Sequence, residues 1–166
     1  MCFFRKKTTK VEKQMKELEI KNILENSKTI AMIGISSEKK GEDPKNLKRK
    51  PANVVMKYMQ DFGYKVFPVN PFAIGEIING EKVLGDISDI ETNVDIVDVF
   101  RPSNEAPEIA EKTIKIKAKV LWLQYGLHND DAKKIAENAN IKYISDKCIK
   151  QEYQKLFKNL IQYFLF

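Results

Sequence analysis

A chain of 166 residues, 43% of them hydrophobic, has material for one packed domain and too little for two. Its formal charge of +6 is concentrated in Arg5, Lys6, Lys7 and Lys10 and again in Lys45, Lys48, Arg49 and Lys50. No aromatic residues are interleaved with those runs as a base-stacking platform requires, so nucleic acid is not an expected partner. Two cysteines, Cys2 and Cys148, make no disulfide framework. No apolar segment approaches the ~18 residues of a membrane span, and the start Met-Cys-Phe-Phe-Arg-Lys-Lys puts its charge after the apolar residues, the reverse of a secretory signal. The expectation is a reducing, cytoplasmic location without membrane contact.

Lys10 to Asn26 reads as an amphipathic helix through Val11, Met15, Leu18 and Ile23, and residues 1–27 are expected to form a helical extension ahead of a domain over 28–166. That domain opens with the apolar run Thr29 to Ile33, of strand length and bounded by Gly34 and the turn-forming Ser36 and Ser37. A polar loop leads to Pro51, which suits a first helical turn because its missing N–H would be unpaired there in any case. The helix it starts runs through Val54, Val55, Tyr58 and Met59 to Gly63. Tyr64 to Val69 is a second strand stopped by Asn70-Pro71, and an irregular stretch follows with an Asn79-Gly80 turn. Strands are then expected at Val94–Phe100, Lys119–Leu123 and Ile141–Ile144, with helices at Glu105–Lys117 and at Asn129–Asn138, where Asn129 is the cap. A last helix, Ile149 to Phe164, turns Ile149, Tyr153, Leu156, Phe157, Leu160, Ile161 and Phe164 to one broad apolar side.

Strands alternating with helices of this length imply right-handed crossovers and a doubly wound α/β fold, a Rossmann-like parallel sheet of about five strands with helices on both faces. Trp122, Met56, Met59 and Phe67 are expected in the core. Ligands of such sheets bind beyond the carboxyl ends of the strands, near the switch point in strand order. The segments to inspect are therefore Gly34-Ile35-Ser36-Ser37, Asn70-Pro71, Phe100-Arg101-Pro102, Gln124-Tyr125-Gly126 and Ser145-Asp146-Lys147-Cys148. The first would turn tightly at Gly34 and offer hydroxyls and N–H groups to a phosphate, or it is an ordinary strand-to-helix turn. It is not the dinucleotide fingerprint, because position 36 is Ser and the next glycine is Gly41, and no Walker loop is present.

The segments Gly-Ile-Ser-Ser (34–37), Lys-Pro-Ala-Asn-Val-Val (50–55), Gly-Tyr-Lys-Val-Phe-Pro-Val-Asn-Pro (63–71), Val-Asp-Ile-Val-Asp-Val-Phe-Arg-Pro-Ser (94–103), Trp-Leu-Gln-Tyr-Gly (122–126) and Asp-Lys-Cys-Ile-Lys (146–150) resemble, in order and spacing, the signature segments of stand-alone CoA-binding proteins. These are similar to the CoA-binding domain that begins the succinyl-CoA synthetase alpha subunit. The resemblance covers about residues 28–150 and implies binding of coenzyme A or an acyl-CoA through its nucleotide moiety. It implies that Gly34, Ile35, Ser36 and Ser37 meet the pyrophosphate, that Asn70 and Pro71 line the crevice, and that Phe100, Arg101 and Pro102 frame the adenine and ribose. Gln124 and Gly126 would close the crevice, and a member of the Lys48-Arg49-Lys50 run, Lys50 among them, would answer the 3′-phosphate. Lys147 stands where the family pattern often has Arg, which keeps the charge and loses the planar fork.

No catalytic residue and no metal ligand are expected. His128 lies at a helix entrance, Asp95 and Asp98 make no evident acid/base pair, and Cys148 is either a reactive thiol favoured by Lys147 or a small buried hydrophobe. Two alternatives stand beside a non-catalytic binding module. One is an NAD(P)-binding oxidoreductase, supported by fold alone. The other is a CoA-binding subunit of a larger enzyme, motivated by the apolar C-terminal helix, which a partner subunit or a second copy would cover.

Overall fold

Seventeen residues, Lys10–Asn26, form α1. Its start is a capping box, in which the Thr9 N–H donates to Glu12 Oε2 at 2.8 Å and the Glu12 N–H donates to Thr9 Oγ1 at 3.2 Å. The buried face is Ile20, Ile23 and Leu24, while Val11, Met15 and Leu18 are 63–67% exposed. The expected face was therefore wrong, and the reason is geometric. At ~100° per residue, the five-residue step from Leu18 to Ile23 leaves the first stripe by more than a third of a turn.

The structure, a computed structural model, describes residues 9–38 and 50–164, with backbone alone for 158–164. The chain divides into two compact units, Ser27–Gln151 and a second made of Met1–Asn26 with Glu152–Phe166. Within the larger unit the apolar run after Lys28 forms β1 (Thr29–Ile33), Pro51 starts α2 (Pro51–Asp61), and β2 is Lys65–Val69. A two-residue antiparallel hairpin, β3 (Ile77–Ile78) and β4 (Glu81–Lys82), turns through Asn79 and Gly80 at φ +49° and +80°. That pair of positive φ values is the primed turn that Asn-Gly favours. Then follow β5 (Ile96–Val99), α3 (Ala106–Lys115), β6 (Val120–Leu123), α4 (Asp130–Asn138) and β7 (Lys142–Ile144). The final helix, α5 (Ile149–Phe164), has the expected limits. Tyr153 and Phe157 stack on it at 4.5 Å between ring centroids, and the side chains of Leu160, Ile161 and Phe164 lie outside the described residues.

The five longer strands form a parallel sheet in the order β2-β1-β5-β6-β7, the doubly wound Rossmann-like α/β arrangement, with its switch point between β1 and β5. Alternation along the strands sorts the core into two layers. Ala31, Val69, Val97, Val99, Leu121 and Leu123 pack with Ala106, Ile109 and Ala110 of α3 and Ala132 and Ala136 of α4. Ile30, Met32, Ile96 and Trp122 point to the other face and are fully buried, as are Met56 and Met59 of α2. Phe67, expected in the core, is half-buried. The helix expected to run from Glu105 to Lys117 begins as a 3-10 turn over Ser103–Glu105 and stops at Lys115, because Lys117 takes φ +57° to redirect the chain into β6.

Asp95 ties the amino end of this sheet together. Its Oδ2 accepts from the Lys28 and Thr29 N–H groups at 2.8 and 3.2 Å, and Lys119 pairs with Oδ1 at 2.9 Å. Burial opposes its charge, but these donors outweigh that and hold its pKa below the usual carboxylate value.

Candidate functional site

The carboxyl ends of β1 and β2 open on a crevice of about 360 Å³, walled on the other side by the segment after β5 and by α3. Of the residues singled out in the sequence, Gly34, Asn70, Pro71 and Arg101 line it. Its apolar surface comes from Ile33, Val69, Phe72, Ile87 and Ile109, and the Phe72 ring is 73% exposed. Gly34 is required where it stands. It sits at φ +99°, and a Cβ there would meet Phe100 Cβ at 3.1 Å and the Phe100 carbonyl carbon at 3.2 Å.

The turn that follows is held by side chains from three other segments. Asn53 on α2 accepts from the Ser36 N–H and donates to the Ser36 carbonyl, both at 3.0 Å. Asn70 Nδ2 donates to the Ile35 carbonyl at 2.6 Å. Glu76 accepts from the Ser37 hydroxyl at 2.6 Å and from the Glu38 N–H at 3.2 Å. Asn79, in the hairpin turn, donates to the Asn53 carbonyl at 3.1 Å. Asn53 was visible only as part of a motif and Asn79 only as a turn residue, while Glu76 carried no signal, since it reaches the turn across 39 residues of sequence.

Five charged residues among those described line the crevice: the carboxylates Asp86, Glu105 and Glu108 and the cations Arg101 and Lys112. The cations are already paired. Arg101 grips Glu105 with two hydrogen bonds, Nε to Oε2 at 3.0 Å and Nη2 to Oε1 at 2.7 Å. Lys112 pairs with Asp86 at 2.6 Å and Glu108 at 3.2 Å. The Arg101 hydrogen bonds lower the Glu105 pKa, and those of Glu105 raise that of Arg101. Asp86 is disfavoured as an anion by burial, yet hydrogen bonds from Lys112 and Ser88 hold its pKa low. Arg101, expected with Phe100 and Pro102 to frame the adenine and ribose, thus stands in a forked ion pair with the residue four positions along.

The remaining expected residues stand away from the crevice lining. Ile35 is fully buried and Phe100 half-buried beneath Gly34, while Pro102 is exposed at the start of the 3-10 turn. Lys50 precedes α2 without capping it through its side chain, and Lys45, Lys48 and Arg49 lie outside the described residues. Gln124 is buried against Asp98, and the exposed Gly126 donates its N–H to Asp146 at 2.7 Å. Cys148 is a half-buried free thiol. His128 sits between Ser145 Oγ at 3.1 Å and Asp130 Oδ1 at 2.8 Å. With side chains 53% and 81% exposed, the His128–Asp130 pair competes with water for its own hydrogen bond. Among the described residues no group of three or more His, Cys, Asp or Glu side chains is placed to hold a metal, and no helix is long and apolar enough to cross a membrane.

Residues 28–154 match the family described as CoA binding domain. The chain is 38% identical over 132 residues to YneT of Bacillus subtilis, an uncharacterized protein, with 80% of this chain and 90% of that one aligned. It is 29% identical over 131 residues to the ADP-forming acetate–CoA ligase of Methanocaldococcus jannaschii, where the match takes 74% of this chain and only 17% of the ligase. Among solved structures it superposes on a Thermus thermophilus protein, ID.343, with a TM-score of 0.74 at 32% identity, covering 85% of this chain and 98% of that one. A hypothetical protein from Pyrococcus horikoshii gives 0.73 at 33% identity, with 85% and 92% covered. A family match that spans the whole sheet, together with a relative of similar length aligned nearly end to end, places this chain in the CoA binding domain family.

Proposed function

We propose that the domain over residues 28–166 binds coenzyme A or an acyl-CoA through its nucleotide moiety and carries out no chemistry of its own, with residues 1–27 as an extension to it. The observation that carries this reading is the braced turn Gly34–Ser37, whose first residue lines a crevice at the switch point of a CoA binding domain sheet. Pro71 and Phe72 supply apolar faces for a planar base, and the crevice carboxylates are acceptors for ribose hydroxyls and a base amine.

Thermal unfolding in the presence of CoA, NAD, NADP and ADP tests it. CoA is expected to raise the melting temperature, since a ligand that binds only the native state stabilises it. No shift at millimolar CoA, with a shift from NAD or NADP, overturns the reading in favour of an oxidoreductase. The ligase relative, of which this chain spans a small part, supports a second reading in which the same crevice serves a separate catalytic chain. Co-purification and the mass in solution distinguish the two.

A further inference from the structure

Two of the groups expected to meet the ligand, Ser37 and Arg101, are occupied by carboxylates of the protein itself. The Ser37 hydroxyl and the Glu38 N–H converge on Glu76, which accepts from them at 2.6 and 3.2 Å, one to each carboxylate oxygen. The Arg101 fork converges on Glu105 in the same two-to-two manner. A hydroxyl beside a backbone N–H, and a guanidinium fork, are both arrangements suited to an oxyanion. Each holds one here.

Glu76 is the one charged brace on this turn among the side chains described above. Asn53 fixes Ser36 through both its N–H and its carbonyl, and Asn70 holds the Ile35 carbonyl, all with neutral side chains. The Glu76 backbone is anchored separately, its N–H donating to Ala73 and its carbonyl accepting from Val83. What the carboxylate adds is charge at the seat. Among the described residues Glu105 likewise joins a crevice whose charged lining is three carboxylates against two cations, and a phosphate seated on Arg101 must part it from Glu105.

We propose that Glu76 and Glu105 are specificity-determining residues acting as internal stand-ins for the ligand's phosphates. They admit a nucleotide with enough phosphate groups to displace a carboxylate from both Ser37 and Arg101, and discriminate against one with a single phosphate. The inference rests on the nucleotide-binding reading above and names what selects the ligand there.

Calorimetric titration of CoA and of AMP into wild type, Glu76→Gln, Glu105→Gln and Ser37→Ala tests it. Glutamine keeps the size and one acceptor oxygen of the side chain and removes the charge. A hydrogen bond to a charged group is worth more than one to a neutral group by a margin that corresponds to roughly tenfold in affinity. Each glutamine variant should therefore bind CoA about tenfold more tightly than wild type and narrow the preference for CoA over AMP, while Ser37→Ala weakens CoA binding. Unchanged or weaker CoA binding by both glutamine variants, with wild type binding normally and all variants melting as folded proteins, overturns the inference and leaves the CoA reading intact. Failure of wild type and every variant to bind CoA overturns both.

Discussion

Gln124 donates its side-chain amide to Oδ1 of Asp98 across 2.5 Å, at a place in the sheet where Asp98 is wholly buried and Gln124 is 5% exposed. The other carboxyl oxygen of Asp98 has no partner among the described residues. Burial pushes the Asp98 pKa up to about 7, against the opposing hydrogen bonds of Gln124 and the Val99 N–H. The folded chain therefore holds this proton more tightly than the unfolded chain does. The stability it confers is complete below the ordinary value of 3.8 and is lost as pH rises toward about 7. At about 1.4 kcal/mol per pH unit the full loss is on the order of 4 kcal/mol. Asp98→Asn removes the titration, so the variant should gain on wild type between pH 5 and pH 8. Denaturant melts at both values read it directly, and a difference between the two proteins that does not move with pH would show that Asp98 does not titrate in this interval.

Asp95, three residues earlier on the same stretch, should act in the opposite sense. Its pKa is held low, so its contribution is present above the carboxylate range and lost as pH falls through it. Asp95→Asn replaces a charged acceptor shared by two backbone N–H groups and Lys119. A cost of about 1–3 kcal/mol is expected at pH 7, shrinking toward pH 3. Chemical denaturation at the two values checks both size and direction.

Gly34→Ala combines a left-handed backbone with a methyl group 3.1 Å from Phe100 Cβ. Such strain costs on the order of 1–3 kcal/mol, and relief requires the segment after β5 to shift away from the crevice. A lowered melting temperature and weakened CoA binding should appear together. Retention of both would mean that the backbone at Gly34 is less constrained than its contacts imply.

Asn53→Ala leaves the Ser36 N–H and carbonyl without their side-chain partner. The expected loss is about 1–3 kcal/mol of stability, with CoA affinity reduced about tenfold because the braced turn is no longer pre-organised. Asn53→Asp separates the two halves of the contact. It keeps the acceptor for the N–H and places a second acceptor against the carbonyl, so it should bind CoA no better than the alanine variant. Binding by Asn53→Asp at the wild-type level would assign the bracing to the N–H contact alone.

The strands and the crossover helices were legible because each obeys a local rule. Apolar runs bounded by Gly, Pro or Asn became β1, β2 and β5, the unbroken run Val120–Leu123 became β6, and Asn129 caps α4 by accepting from the Ala132 N–H at 2.8 Å. What misled was phase. On α1 the apolar residues form two separate faces, and spacing alone merged them. The crevice was legible in part, since the strand-end rule led to Gly34, Asn70, Pro71 and Arg101. Its charge balance was not, because Asp86 and Lys112 meet only when the segment after β4 lies against α3, a contact across 26 residues of sequence. The burial of Asp98 was hidden for another reason: a carboxyl in an apolar strand reads as an edge or an exposed position until a partner such as Gln124, just past the end of the neighbouring strand, is known.

The order β2-β1-β5-β6-β7 has a consequence for how such a site can drift. The connections that follow β1 and β5 leave toward opposite edges of the sheet, so the gap between them is made by the path of the backbone and not by any side chain. Substitutions can rewrite the lining, exchanging an ion pair here or an aromatic ring there, while the opening itself persists. Ligand choice in this architecture is a property of a thin, replaceable veneer. The sheet beneath is shared with relatives that keep only about a third of the residues.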